Sequence, residues 1–359
     1  MSARCNLKKF ACRTGKAFCL NVSVMGFIIR GQGHSGLLQI YVCANYLTMP
    51  CLTQSYSYGP LSLMKATGIF RDIIGPAYPS QLEVSEMLEY YQKGRYDLTE
   101  TLAKGLTQKY PSHQLAWKIL GIVFKRTGRL EESLAANQKA VDLSPSDYEA
   151  HSNLGTTLRE LSRLKEAETS YKKALAIKED FAQGHYNLGI ALQELGSLEE
   201  AVMSYRKAIA IRADYAQAHN NLGILLQKRG SLEEAESSYR KAIGIEPNYA
   251  EAYFNLGNTL KELGRLEEAE SRFKRAIAIR PEFAEAYSNW GNTLKELGRR
   301  EEAELSYRKA ISIRPDLQGI NANIGKLLME KNQHKDGLKM IRKACGVILF
   351  DVVNGMMIN

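Results

Sequence analysis

The chain has 359 residues, 45% hydrophobic and 24% charged, the make-up of a soluble folded protein with room for two or three ordinary domains. Its net charge of +9 sits almost wholly in the first 71 residues, which hold no Asp or Glu but carry Arg4, Lys8, Lys9, Arg13, Lys16, Arg30, Lys65 and Arg71. Residues 72–359 are left with +9 − 8 = +1, and a nearly neutral body lacks the gathered Lys and Arg that binding to nucleic acid requires.

Residues 1–79 form a head unlike the rest of the chain. Lys8, Lys9, Arg13 and Lys16 ahead of the apolar run 17–29 are ordered like the charged and apolar parts of a signal peptide, and the lack of acids suits a transit peptide. Against this, Cys19, Asn21 and Ser23 interrupt the run and no small-x-small cleavage site comes after it. The run is also too short to span a membrane. The expectation is a leader, disordered or targeting. Five of the six cysteines (Cys5, Cys12, Cys19, Cys43, Cys51) lie in it, and the sixth is Cys345. Residues 80–344 therefore owe nothing to disulfides or cysteine-bound metal, which fits an intracellular protein of cytoplasm or nucleus.

From residue 80 to 345 the chain repeats itself. Asn-Leu-Gly recurs at Asn153, Asn187, Asn221 and Asn255, each 34 residues after the last, and Asn289-Trp290-Gly291 and Asn323-Ile324-Gly325 continue the series. With units starting at 80, 114, 148, 182, 216, 250, 284 and 318, the eighth position is Gly from Gly121 to Gly325. The twentieth is Ala167, Ala201, Ala235, Ala269 and Ala303, with Ser133 and Gly337 towards the ends. The twenty-fourth is Tyr171, Tyr205, Tyr239, Phe273 and Tyr307. The twenty-seventh is Ala from Ala140 to Ala344, and Pro111, Pro145, Pro247, Pro281 and Pro315 stand at the thirty-second.

Each unit reads helix, turn, helix: residues 250–263, Gly264-Arg265, then 266–279. Gly264 suits a left-handed helix end, and Pro281 closes one unit before the next helix. Gly257 and Ala269 are small where the two helices cross, and Phe273 and Ala276 are expected to fill the groove towards the next unit. A lone helix pair cannot bury its apolar face, so stacking supplies the core. The first unit has Glu83 and Glu86 where large apolar residues belong and reads as a polar cap. The last, with Asn332 for the turn Gly and Gly337 for Ala, reads as degenerate. Residues 346–359 turn strand-like at Val347–Phe350 and Val352-Val353, as a strand without a partner.

This is the tetratricopeptide pattern, which covers residues 80–345. The resemblance implies an all-α, right-handed superhelical solenoid of about eight units that binds other proteins through extended segments.

Three periodic rows invite a chemical reading. His151, His185 and His219 share the fourth position with Tyr253 and Tyr287, and stacked helices about 8–10 Å apart cannot bring them to one zinc ion, whose ligands lie about 2 Å from it. They read as packing residues, and no metal or cofactor is expected. The acid pairs Glu199-Glu200, Glu233-Glu234, Glu267-Glu268 and Glu301-Glu302 open each second helix, where the helix dipole favours them. No nucleophile or base stands at matching spacing, so no catalytic constellation is expected.

The third row is Asn153, Asn187, Asn221, Asn255, Asn289 and Asn323, at the sixth position of the first helix. Stacking lines these amides along the concave groove, where each offers donors and an acceptor to an extended peptide backbone. Such a row, with the run 252–262, resembles the N-terminal arm of the protein O-GlcNAc transferases. That likeness implies a substrate-recruiting arm, truncated or acting in trans, since the first two units lack the Asn and no glycosyltransferase domain follows. The carboxylate clamp for chaperone tails is excluded. Lys118 is present at position five, but Ile122 stands where Asn is needed.

Overall fold

The computed structural model describes residues 18–22, 25–31, 38–43, 78–317, 319–345, 348–351 and 355–358. Contacts divide the chain between Glu86 and Met87, and each part is taken by itself. In the first, β1 (Phe18–Val22), β2 (Met25–Gly31) and β3 (Leu38–Cys43) form an antiparallel sheet in that order, with Phe18 opposite Ile29 and Gly26 opposite Cys43. Most of the apolar run 17–29 thus falls in β1 and β2, while Lys8, Lys9, Arg13 and Lys16 lie outside the described residues.

Sixteen helices come next among the described residues, in eight pairs. The first four are α1 (Gln81–Gln92), α2 (Tyr96–Lys109), α3 (Gln114–Arg126) and α4 (Leu130–Leu143). The middle of the array comprises α5 (Tyr148–Glu160), α6 (Leu164–Ile177), α7 (Ala182–Glu194), α8 (Leu198–Ile211), α9 (Ala216–Lys228) and α10 (Leu232–Ile245). The array ends with α11 (Ala250–Glu262), α12 (Leu266–Ile279), α13 (Ala284–Glu296), α14 (Arg300–Ile313), α15 (Ile320–Glu330) and α16 (His334–Cys345). Odd-numbered helices are the first of each pair. From α2 to α16 successive helices pack on one another, and successive odd helices also touch from α3 to α7 and from α9 to α13. The array is an all-α tetratricopeptide solenoid. Gly264 takes the left-handed conformation expected of it, at φ 75°, and Ser162 and Asn332 accept it too, at φ 59° and 61°, in the two units that lack the glycine.

The aromatic row corrects one expectation. Phe273 does not point mainly at the next unit; its ring lies on Gly257 of its own. A Cβ added at Gly155, Gly189, Gly223, Gly257 or Gly291 would stand 2.6–2.8 Å from the ring at the twenty-fourth position of the same pair. Those five rings are fully buried. The next unit is met instead through Ala276, which clusters with Phe283 and Ala286. The recurring glycine is therefore a seat for a ring, which a methyl group would fill.

One joint is built differently. Where the five pairs from α5–α6 to α13–α14 have Ala and an aromatic ring, the α3–α4 pair has Ser133 and Asn137, both buried. Ser133 Oγ donates to the Gly121 carbonyl at 2.7 Å and lies 2.9 Å from Thr157 Oγ1 on α5. Asn137 Nδ2 donates to Thr157 Oγ1 at 3.0 Å. The apolar core parts at this place: one cluster runs from Met87 to Ala136, and a second runs from Ala140 to Phe273.

The ends are closed by local chemistry. Ser80 and Glu83 form a capping box, the Ser80 amide donating to Glu83 Oε2 at 2.7 Å and the Glu83 amide to Ser80 Oγ at 3.2 Å. At the other end Gly337 faces Gly325 so closely that a Cβ on either would stand 2.8 Å from the other's carbonyl oxygen, which is why this unit departs from Ala. The tail strand does have a partner. β4 (Ile348–Asp351) pairs with β5 (Gly355–Ile358) as an antiparallel hairpin, Asp351 opposite Gly355.

Candidate peptide-binding face

The odd-numbered helices share one face, and their heptad-like spacing stacks three rows along it. On α9 these are Asn221, Ile224 and Lys228; on α7 they are Asn187, Ile190 and Glu194. Residues three and four apart fall on one side of a helix, so each helix contributes the same three positions to the shared face.

All six Asn residues are half-buried, and their amides are used unequally. Asn323 Nδ2 donates to Asn292 Oδ1 of the preceding unit at 3.1 Å, and Asn289 Nδ2 donates to Asn258 Oδ1 at 2.8 Å. Asn255 Nδ2 donates to Asn220 Oδ1 at 3.0 Å, and Asn221 Nδ2 to the Tyr186 hydroxyl at 3.3 Å. These four each tie one unit to the one before. Asn187 Oδ1 only accepts from Gln183 on its own helix at 2.9 Å, and Asn153 makes no side-chain hydrogen bond among the described residues. Sequence reasoning found the row but missed its partners Tyr186, Asn220, Asn258 and Asn292. The Asn258–Asn292 repetition at the same 34-residue interval was the available signal.

Beyond the amides runs a charged row that was also missed. Lys125–Glu160 at 3.6 Å, Arg159–Glu194 at 2.8 Å, Lys261–Glu296 at 3.0 Å and Lys295–Glu330 at 2.6 Å join successive odd helices, and Gln227 Nε2 donates to Glu262 at 2.6 Å. Gln227, Asn258, Lys261, Glu262, Asn289 and Glu296 line an open hollow of about 450 Å³ across α9, α11 and α13. Exposed pairs of this kind contribute little stability; their effect is to hold the units in register.

The fourth-position histidines do as packing residues do. The buried His151, His185 and His219 each bring Nε2 to a carbonyl of the preceding inter-unit turn: Pro145 at 3.0 Å, Glu179 at 3.0 Å and Ala213 at 3.1 Å. Among the described residues, no group of three metal-ligating side chains converges. Burial holds His185 and His219 below the usual imidazole range. A folded pKa below the unfolded one means stability is complete above about pH 6.5 and falls as pH drops through that value. Guanidinium melts at pH 7 and pH 5 should therefore differ less in the His185→Tyr/His219→Tyr double variant, which has the residue found at Tyr253 and Tyr287, than in the parent. Equal pH dependence would show that the two rings titrate alike in both states. The acid pairs act locally as well: Arg265 and Arg299 at the turns bond Glu268 and Glu302 and hold these exposed carboxyls below their ordinary range.

Among the described residues, no helix is long and apolar enough to cross a membrane. Models described as tetratricopeptide repeat match residues 86–148, 214–282 and 284–317, and one described as TPR repeat matches 155–196 and 191–230. No curated protein sequence matches the chain. Among solved structures, the Cut9–Hcn1 hetero-tetramer of the APC/C is 14% identical with a TM-score of 0.58, over 75% of this chain and 52% of that one. The chain thus spans about half the length of that relative. PilF of Pseudomonas aeruginosa is 19% identical with a TM-score of 0.53, over 61% and 96%. YrrB, titled as a TPR protein with an unusual peptide-binding site, is 26% identical with a TM-score of 0.46, over 56% and 99%. From residue 86 to 317, by periodicity, by helix-pair packing and by the matching family models, the chain belongs to the tetratricopeptide-repeat superfamily.

Proposed function

We propose that this chain is a protein-interaction scaffold whose odd-helix face holds an extended segment of a partner protein. The observation that carries the reading is the stacked row of six half-buried amides, four of which bond the preceding unit and all of which keep hydrogen-bonding capacity. The likeness to a glycosyltransferase's recruiting arm would place the same face in the same role, with chemistry supplied elsewhere.

A row of backbone contacts should spread affinity along its length. Replacing Asn187, Asn221 and Asn255 together with Ala removes contacts of about 0.5–1.5 kcal/mol each. Binding of a partner segment captured on the full chain should weaken by roughly 10- to 1000-fold in calorimetry. The loss of the Asn221 and Asn255 bonds to α7 and α9 should lower the melting curve only slightly. Unchanged affinity with an intact melt would reduce the row to a device for joining units.

A further inference from the structure

The charged row has one broken joint. From α3 to α15 each odd helix offers a Lys, Arg or Gln that meets a Glu on the next, except between α7 and α9, where Gln193 stands before Lys228. Gln193 Oε1 is already taken by the Tyr205 hydroxyl at 3.1 Å. Lys228 is exposed and makes no ion pair among the described residues, while every Glu of the row already accepts a hydrogen bond or ion pair. One turn before it on the same face lies Ile224, with Ile190 at the matching place on α7, both half-buried against the core. Beside them is Asn187, which like Asn153 has no tie to the preceding unit.

We propose that the binding window lies over α7 and α9 and takes an extended acidic segment of a partner protein. An Asp or Glu side chain of that segment meets Lys228, and an apolar neighbour rests on Ile190 and Ile224. The inference rests on the reading of this face as a peptide groove and adds its location and charge preference. The sign comes from complementarity: on α7 the row's carboxylate, Glu194, is paired with Arg159, and on α9 the cation Lys228 is left open, so an acidic ligand gains an ion pair there and a basic one meets repulsion. An uncharged ligand would leave Lys228 solvated and gain nothing there.

The test uses the full chain, as parent and as Lys228→Glu and Lys228→Gln variants, with a phage-displayed library of random dodecapeptides as the probe. Parent selections should be enriched in Asp and Glu, and the Lys228→Glu selections should lose that enrichment. A fluorescein-labelled acidic peptide from the parent pool should bind Lys228→Glu about 3- to 30-fold more weakly. It should bind Lys228→Gln by an intermediate amount, and the gap should narrow at high salt. Lys228 is exposed, so all three proteins should melt alike. Acid enrichment that survives Lys228→Glu, or parent selections with no acidic bias, would overturn the location and charge preference and leave the groove standing. Parent protein that enriches no peptide at all would overturn the groove reading itself, and this inference with it.

Discussion

Tyr239→Ala should lower stability by about 3–5 kcal/mol, the range for deleting a well-buried aromatic side chain. The ring is fully buried between α9 and α10, its face against Gly223 and its hydroxyl donating to Gln227 Oε1 at 3.1 Å. The two helices are held apart by the rest of their packing, so collapse around the gap is limited and the cavity term remains. Tyr239→Phe should cost far less, about 0.5–1.5 kcal/mol for the hydroxyl's bond, because Phe273 fills the equivalent seat in the α11–α12 pair without a hydroxyl. Guanidinium titrations followed by circular dichroism distinguish the two. Similar losses for Ala and Phe would mean that the bond, rather than the ring, holds the pair together.

The mirror experiment fills the seat from the other side. In an open helix Gly→Ala is favourable by about 0.8–1.0 kcal/mol, and Gly105→Ala on α2, where a Cβ would meet nothing within 4 Å, should follow that rule. Gly223→Ala should do the opposite. Its Cβ would stand 2.7 Å from Tyr239 Cε1 and 2.9 Å from Cδ1, well inside the about 3.5–4.0 Å of carbon contact. The enclosed ring cannot step aside, so α9 and α10 must part, at a net cost of about 1–3 kcal/mol. The decisive measurement is the double variant. With Tyr239→Ala already present the methyl enters vacated space, so Gly223→Ala should become neutral or stabilising, a coupling of the size seen between touching residues. Additive losses would show that the glycine acts through backbone freedom alone.

The period of 34 made the helices, their turns and the buried rows legible, because each depends on residues within one unit or on its immediate copy. The partner of the aromatic ring was misjudged. Spacing places position 24 and position 8 on facing helices, but only the crossing geometry decides whether a ring lies over its own glycine or reaches outward. The amide ties were hidden for a related reason. Whether Asn289 meets Asn258 or a residue like Asn220 depends on the rotation between units, which no single unit encodes. A local signal that was legible also went unread: Ser80-x-x-Glu83 is a capping box. The break at Lys228 is visible in sequence only once the pairing of position 12 with position 13 of the next unit is known.

The Ser133–Asn137–Thr157 joint bears on how such a chain finds its order. From α7 to α14 the units are near-copies, and a helix such as α8 presents to α11 much the same apolar surface that it presents to α9. Stacking out of turn, or with the matching helices of a second molecule, is a standing hazard for repeats during folding. The buried polar trio does not forgive such an error. Set against α7 or α9, where Ala191 and Leu225 stand at the place of Thr157, Asn137 would keep only its bond to Ser133 Oγ on its own helix, at 3.2 Å, and lose the inter-unit bond, at about 0.5–1.5 kcal/mol. The trio therefore tells α5 from α7 and α9, the two first helices that follow it in the chain, while α11 and α13, with Thr259 and Thr293 at that place, are kept from α4 by distance along the array alone.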